Sequence, residues 1–252
     1  MSPTSLILPF PPASAALANK IVLVTGASRG LGRAIALDCA AQQATVLLLG
    51  RDIRRLEALA EEIEAAAYPT PMIVPCNLEG ASIDDYATIA ELIAERYGRL
   101  DGLILNAALL GEISSFENSD PLLWARVFQV NVHSQYLLTR SCLPLLRAAR
   151  AGSIVFTAAS VGRVGRAYWG AYAASKFALE GMMQTLADEL RDVSSIRVNS
   201  LDPGRLRTRL RALAYPAEDP ASLPEPAMLA PYFVYLLSEA YAEHGQSLEI
   251  AR

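Results

Sequence analysis

Short, almost wholly apolar runs alternate with longer stretches of helical periodicity along this chain. Residues 21–25 (Ile-Val-Leu-Val-Thr), 45–49 (Thr-Val-Leu-Leu-Leu) and 102–105 (Gly-Leu-Ile-Leu) show no polar alternation. Such runs suit strands of a parallel sheet covered on both faces. Met72–Val74, Ser153–Thr157, Ile196–Ser200 and Ser247–Ile250 repeat the pattern and bring the expected strands to seven. Between them, a helix over Leu56–Ala67 keeps Glu57, Glu61, Glu62 and Glu64 on its wet side. Another over Ser82–Tyr97 opens at a Ser82 cap, with Asp84 and Asp85 near the positive end of its dipole. A helix begins at Arg33–Leu37, and a long one runs from Pro121 to about Ala149, with a bend expected near Pro144. Two more cover the Tyr172 stretch to about Arg191 and Pro226–Leu237. Strands and helices in this order predict an α/β, doubly wound, three-layer sandwich, its mostly parallel seven-stranded sheet wrapped by helices on both faces.

Neither a repeat nor a linker interrupts the pattern, so residues 21–252 read as a single domain behind an arm of residues 1–20 that carries Pro3, Pro9, Pro11 and Pro12. Residues 201–226, rich in Pro and Arg, read as a mobile lid or insertion. With 52% apolar residues, the 252-residue chain can bury a sheet on both faces. A net charge of −4 argues against a nucleic-acid surface and gives no reason to invoke an anionic membrane. No apolar run approaches membrane-spanning length, and the arm lacks a cationic start, so a cytoplasmic protein is expected. Cys39, Cys76 and Cys142 lie too far apart for a metal motif and read as buried thiols; His133 and His244 are too few for a histidine cluster, so no metal is expected.

Candidate chemistry enters at the first strand's end. Gly26-Ala27-Ser28-Arg29-Gly30-Leu31-Gly32 leads directly into a helix. Glycines let the backbone approach a phosphate closely, and the helix start offers free N–H groups and a positive dipole. Strand, glycine turn and helix come in the order that a Rossmann-type dinucleotide site needs; the other reading is a mere tight turn between strand and helix. The next strand ends at Gly50-Arg51-Asp52, where a site for NAD(H) places an acid and one for NADP(H) an arginine. Arg51, with Arg29 from the glycine turn, favours NADP(H) over NAD(H); the other reading is two solvated arginines with Asp52 neutralising one.

Tyr172 and Lys176 stand four residues apart, one above the other on a helix face. An ammonium close to a phenol draws its pKa towards neutrality, as acid/base work on an alcohol or carbonyl requires. In chain order, Thr25-Gly26-x-x-x-Gly30-x-Gly32, Asn106-Ala107-Ala108, Asn131, Tyr172-x-x-x-Lys176 and Pro203-Gly204-x-x-x-Thr208 resemble the short-chain dehydrogenase/reductase family from about Ile21 to Ile250. The resemblance implies an oxidoreductase that moves a hydride between NADP(H) and a small-molecule carbonyl or secondary alcohol. Tyr172 would exchange the proton, Lys176 would lower its pKa and hold the nicotinamide ribose, and Asn131 would steady a proton-relaying water. Cofactor contacts would come from Gly26, Ser28, Arg29, Gly30, Leu31, Gly32, Arg51, Asn77, Leu78, Asn106, Ala107, Tyr172, Lys176, Pro203, Gly204 and Thr208. A homodimer or homotetramer would form through the helices around Asn131 and Tyr172.

Three positions depart from the family pattern. Ala108 replaces a glycine, and Asn77 stands where an aspartate usually contacts adenine. The catalytic serine of Ser-x-x-Gly, counted back from Gly162, falls on Ala159, with Ser160 one residue late. On an extended segment neighbouring side chains face opposite ways, so Ser160 supplies the hydroxyl only if the strand has ended or bulged there. A cofactor-binding protein with weakened chemistry, serving as a sensor or partner, is therefore the alternative. Trp169 could wall the substrate pocket or simply pack, and Arg205, Arg207, Arg209 and Arg211 could attract an anionic substrate or form a solvated face. His133 is expected to pack on its helix.

Overall fold

All seven apolar runs form strands, and they lie side by side in one sheet. The computed structural model describes residues 3–7 and 15–250. Its strands are β1 (Thr4–Leu6), β2 (Ile21–Thr25), β3 (Thr45–Gly50), β4 (Met72–Pro75), β5 (Gly102–Leu105), β6 (Ser153–Thr157), β7 (Arg197–Asp202) and β8 (Ser247–Ile250). They run in the order β1-β8-β7-β6-β5-β2-β3-β4, and every pairing is parallel. The sheet thus has eight strands rather than seven. The extra strand lies in the arm, where Thr4 pairs with Leu248 and Ile250 with Leu6. Three residues are too few to show a periodicity, which is why the pattern missed it; the arm's Pro9, Pro11 and Pro12 lie outside the described residues.

Helices α1 (Gly30–Ala41), α2 (Ile53–Ala65), α3 (Ile83–Tyr97), α4 (Pro121–Phe128), α5 (Ser134–Ala148), α6 (Gly170–Leu190), α7 (Arg209–Ala214) and α8 (Ala230–Leu237) complete the layers. Alternate strand residues feed two cores. Val22 and Val24 pack with Ile35 of α1 and Phe233 of α8 on one face. Ile21 and Leu23 pack in the other core, with Tyr86 of α3, Leu138 of α5 and Met183 of α6. This double burial explains the absence of polar alternation. The Ser82 cap forms with a reciprocal capping box to Asp85.

The long helix expected from Pro121 is interrupted at Gln129–His133, which forms a π-helical turn between α4 and α5. Pro144 stands inside α5 without ending it. The irregularity therefore falls at Asn131, whose amide has partners outside the helix, and not at the proline. Residues 201–226 have defined structure: β7 takes the first two, Thr208 caps α7, and short 3₁₀ turns cover Pro220–Ser222 and Pro226–Met228. Among the described residues no helix is long and apolar enough to cross a membrane, and no cluster of potential ligands could hold a metal.

Candidate active site

The sheet order reverses between β2 and β5, and the crevice beyond such a reversal is where open α/β sheets bind ligands. A cleft of about 1060 Å³ opens there, lined by the glycine turn, the ends of β3 to β7 and the segment after β7. Thr25 ties its floor. Its hydroxyl accepts from the backbone N–H groups of Asn106 (2.9 Å) and Ala107 (3.0 Å) and donates to the Ile104 carbonyl (3.2 Å). Asn106 returns a bond from Nδ2 to the Thr25 carbonyl (3.0 Å). Asn106 and Thr25 thus hold β5 against β2 beneath the cleft.

Gly32 shows why the turn needs glycine. A Cβ there would stand 2.3 Å from the Gly26 carbonyl oxygen and 2.6 Å from Asn106 Nδ2. Neither neighbour can move without breaking the turn. Arg29 caps α1 with extended backbone and no side-chain cap bond, so the first N–H groups of the helix face the cleft without a side-chain acceptor. Burial lowers the Arg29 pKa, and the cations of Arg209, Arg55 and Arg51 lower it further. That crowding of positive charge fits a phosphate group. Arg51 reaches Glu79 at 3.6 Å, and Arg126 reaches the same carboxylate at 2.6 Å. Ser28, Gly30, Leu31, Asn77, Leu78, Pro203 and Gly204 also line the cleft. Thr208 lies against the turn, its Cγ2 only 3.5 Å from where a Gly30 Cβ would be. Every expected cofactor residue except Gly32, which sits beneath the turn, therefore borders one cleft.

At the other end, Tyr172, Lys176 and Glu180 follow one another at helical spacing on the buried face of α6. Tyr172 is 7% exposed and Lys176 2%, and both line the cleft. Lys176 Nζ lies 5.6 Å from the Tyr172 ring and donates to the Thr157 carbonyl at 2.7 Å. Burial pulls the Lys176 pKa down to about 8 against the carboxylates of Asp202 and Glu180. Burial also pushes the Tyr172 phenol well above its ordinary range, and the Asp202 carboxylate pushes it the same way. The bond to Thr157 uses one of the three ammonium donors of Lys176 and fixes the group beside the Tyr172 ring.

Several residues around this pair carried no sequence signal. Asp202, 6% exposed at the end of β7, accepts from the Gly204 N–H at 2.8 Å. Arg163 lies 3.7 Å from Asp202, 3.2 Å from Glu180 and 4.0 Å from Glu249. Glu180 also accepts from Ser200 (2.9 Å) and Ser247 (3.1 Å). These charges come together only through the strand order. Gly162 lets the 3₁₀ turn Ser160–Gly162 press on α6: a Cβ there would meet the Lys176 Cβ at 2.7 Å and its backbone at 2.8 Å.

Asn131 is fully buried, and both its amide protons have partners, the Leu109 carbonyl and Ser175 Oγ, each at 2.9 Å. Its Oδ1 accepts from the Leu109 N–H at 2.7 Å. Ser175, unnoticed in the sequence, passes the contact on to the Tyr172 carbonyl (2.8 Å). The side chain thus braces the cleft wall, and its protons are not free to hold a relaying water. β6 ends at Thr157, Ala159 is extended (φ −159°, ψ 151°), and Ser160 opens the 3₁₀ turn. Ala159 packs beside Tyr172 with Leu110 and Trp169, whereas Ser160 is exposed on the cleft lining. His133 is exposed. The three cysteines are buried free thiols, with Cys76 pushed up to about 11 and Cys142 to about 12 by burial.

The family model for short chain dehydrogenases matches residues 20–219. The chain is 45% identical over 230 residues to the oxidoreductase YciK of Escherichia coli K12, which covers 91% of this chain and 90% of that one. A short chain dehydrogenase from Shigella flexneri 2a, solved in complex with NADP, superposes with a TM-score of 0.91 at 43% identity, covering 94% of this chain and 99% of that one. One from Escherichia coli CFT073 in complex with NADPH gives a TM-score of 0.91 at 44% identity, with the same coverage of 94% and 99%.

Proposed function

The chain belongs to the short chain dehydrogenase family, and on that premise we propose that it is an NADP(H)-dependent oxidoreductase interconverting a carbonyl and a secondary alcohol. The observation that carries this reading is the burial of Tyr172 beside Lys176 on the wall of the cleft that the glycine turn also lines. When bound, the cofactor supplies a hydride to the substrate carbon or accepts one from it. Arg29 and Arg51 pair its 2′-phosphate, the start of α1 receives its pyrophosphate, and Lys176 holds the ribose beside Tyr172. Relatives complexed with NADP and NADPH support that cofactor.

Tyr172, buried on the cleft wall, is the residue placed to donate a proton to a carbonyl oxygen as the carbon is reduced and to take one back in the reverse direction. Lys176 stands beside the ring, where its ammonium favours the phenolate that donation leaves behind. NADPH consumption measured by absorbance against a panel of carbonyls tests the proposal, beside a binding titration comparing NADPH with NADH. Turnover with tighter NADPH binding supports it; no turnover on any carbonyl defeats it.

One observation favours a second reading, a cofactor-binding protein of weakened activity. Ala159 packs beside Tyr172 where a second hydroxyl donor would stand. A donor aimed at developing charge is worth about 2.7–4 kcal/mol at an oxyanion, and less at a weakly charged oxygen. The loss slows chemistry without touching the cofactor end. For assembly, we propose a homodimer or homotetramer through the outer faces of α5 and α6. Tyr136 is 52% and Phe177 44% exposed there, while Val127, Leu138 and Met183 are buried in the chain's own core. Light scattering at micromolar concentration distinguishes it from a monomer.

A further inference from the structure

We infer that the substrate end of the cleft carries an anion-binding subsite at Arg166, and that the substrate is an apolar ring compound bearing both the reacting oxygen and a carboxylate. The inference takes the position of the reacting oxygen from the function proposed above. What it adds is the wall opposite. Leu110, Val161, Trp169, Leu210 and Tyr215 surround Tyr172 with apolar surface. Trp169 lies edge-on to Tyr172, with ring centroids 5.8 Å apart, and 5.7 Å from Tyr215. Such a surface selects a ring over a polar chain.

Arg166 covers the far side of this patch, its guanidinium carbon 5.9 Å from the Trp169 ring and 5.5 Å from the Tyr215 ring. Nη1 donates to the Tyr215 hydroxyl at 2.5 Å. Among the described residues no carboxylate comes within ion-pair distance of it. The neighbouring cations differ. Arg211 is bound through Nε and Nη2 to Glu218 at 2.5 and 2.7 Å, and Arg207 reaches Glu225 at 2.5 Å. Arg209 crowds Arg29 at the cofactor end. Arg166 is therefore an exposed arginine held against two aromatic rings, with one bond to Tyr215 and its remaining donors open to solvent and to a ligand in the cleft it lines. That hold removes much of the conformational freedom a free arginine would lose on binding, and a planar fork matches a carboxylate. Two short steps, Tyr172 to Trp169 and Trp169 to Arg166, bound the distance between phenol and guanidinium. A ring lying along this aromatic patch with its reacting oxygen at Tyr172 would present a carboxylate on its far side towards Arg166.

The test uses 4-acetylbenzoate and its neutral amide, 4-acetylbenzamide, with the intact chain. With NADPH, kcat/KM for the acid should exceed that for the amide by tenfold or more. That ratio should fall towards one in Arg166→Ala and stay partly intact in Arg166→Lys. A ratio near one in the parent, or one unchanged by Arg166→Ala, overturns the inference. Calorimetric titration of the NADP-saturated protein reads the same contact without turnover. The acid should bind more tightly than the amide to the parent and to Tyr172→Phe, and the difference should vanish in Arg166→Ala. Should the alanine variant lose its fold, Arg166→Gln removes the charge while keeping the stem. If the binding difference appears without turnover, the subsite stands and the oxidoreductase reading falls. If turnover occurs without the difference, the subsite falls alone.

Discussion

The two ends of the cleft are built by different means. At the β2–α1 end the shape is a property of the main chain: Gly32 leaves no room for a Cβ, Thr25 and Asn106 exchange bonds with backbone, and the free N–H groups of α1 face outward. At the β6–α6 end the properties come from buried side chains, with Tyr172, Lys176, Glu180, Asp202 and Arg163 balancing one another's charge. An end shaped by main chain responds most to atoms added at Gly32, whereas an end made of buried charges responds most to changes of charge.

Gly32→Ala should break the first end outright. The added methyl meets backbone that cannot yield, so the expected cost is about 3 kcal/mol or more. A lowered Tm in scanning calorimetry and lost NADPH binding check this. The second end should instead accept Ala159→Ser and improve. A hydroxyl beside Tyr172 adds a donor to the reacting oxygen, and kcat should rise roughly ten- to a hundredfold. Ser160→Ala should change kcat little, because Ala159 and not Ser160 packs against Tyr172. The opposite pair of results would make Ser160 the catalytic hydroxyl.

Arg51→Asp sharpens the comparison at the cofactor end. Loss of a charge-assisted bond to the 2′-phosphate, worth about 1.5–3 kcal/mol, should cut the preference for NADPH over NADH by about tenfold or more in a binding titration. An undiminished preference would assign the phosphate to other arginines. The smallest effect is expected from Asp202→Asn, which keeps an oxygen for the Gly204 N–H. The Asp202 carboxylate raises the pKa of both Tyr172 and Lys176. Its removal lowers both, so the pH of half-maximal alcohol oxidation, which needs the phenolate, should move down. A pH profile of kcat/KM that moves up or stays still contradicts the electrostatic account.

The sequence made the first end far more legible than the second. Glycine spacing, strand order and the Asn106-Ala107 turn are local, and each left a mark within a few consecutive residues. The strands were legible for the same reason, because burial on both faces removes polar positions from a short run. β1 left no such mark, being three residues held only by its pairing to β8. The charges around Tyr172 were hidden because Arg163, Glu180 and Asp202 are far apart in sequence and meet across the strand order. Asn131 is legible through the family resemblance, but its partners, Leu109 and Ser175, depend on the π-helical turn that no propensity announces.

The central claim is that Tyr172 is the proton donor of a reaction run on bound NADPH. The most direct measurement compares the parent chain with Tyr172→Phe, following NADPH consumption on a carbonyl the parent reduces and NADPH binding in the same preparation. The account predicts that NADPH still binds to the phenylalanine variant while its turnover falls by about a hundred- to ten-thousandfold, the usual contribution of a general acid. Turnover within tenfold of the parent, with binding intact, would contradict it.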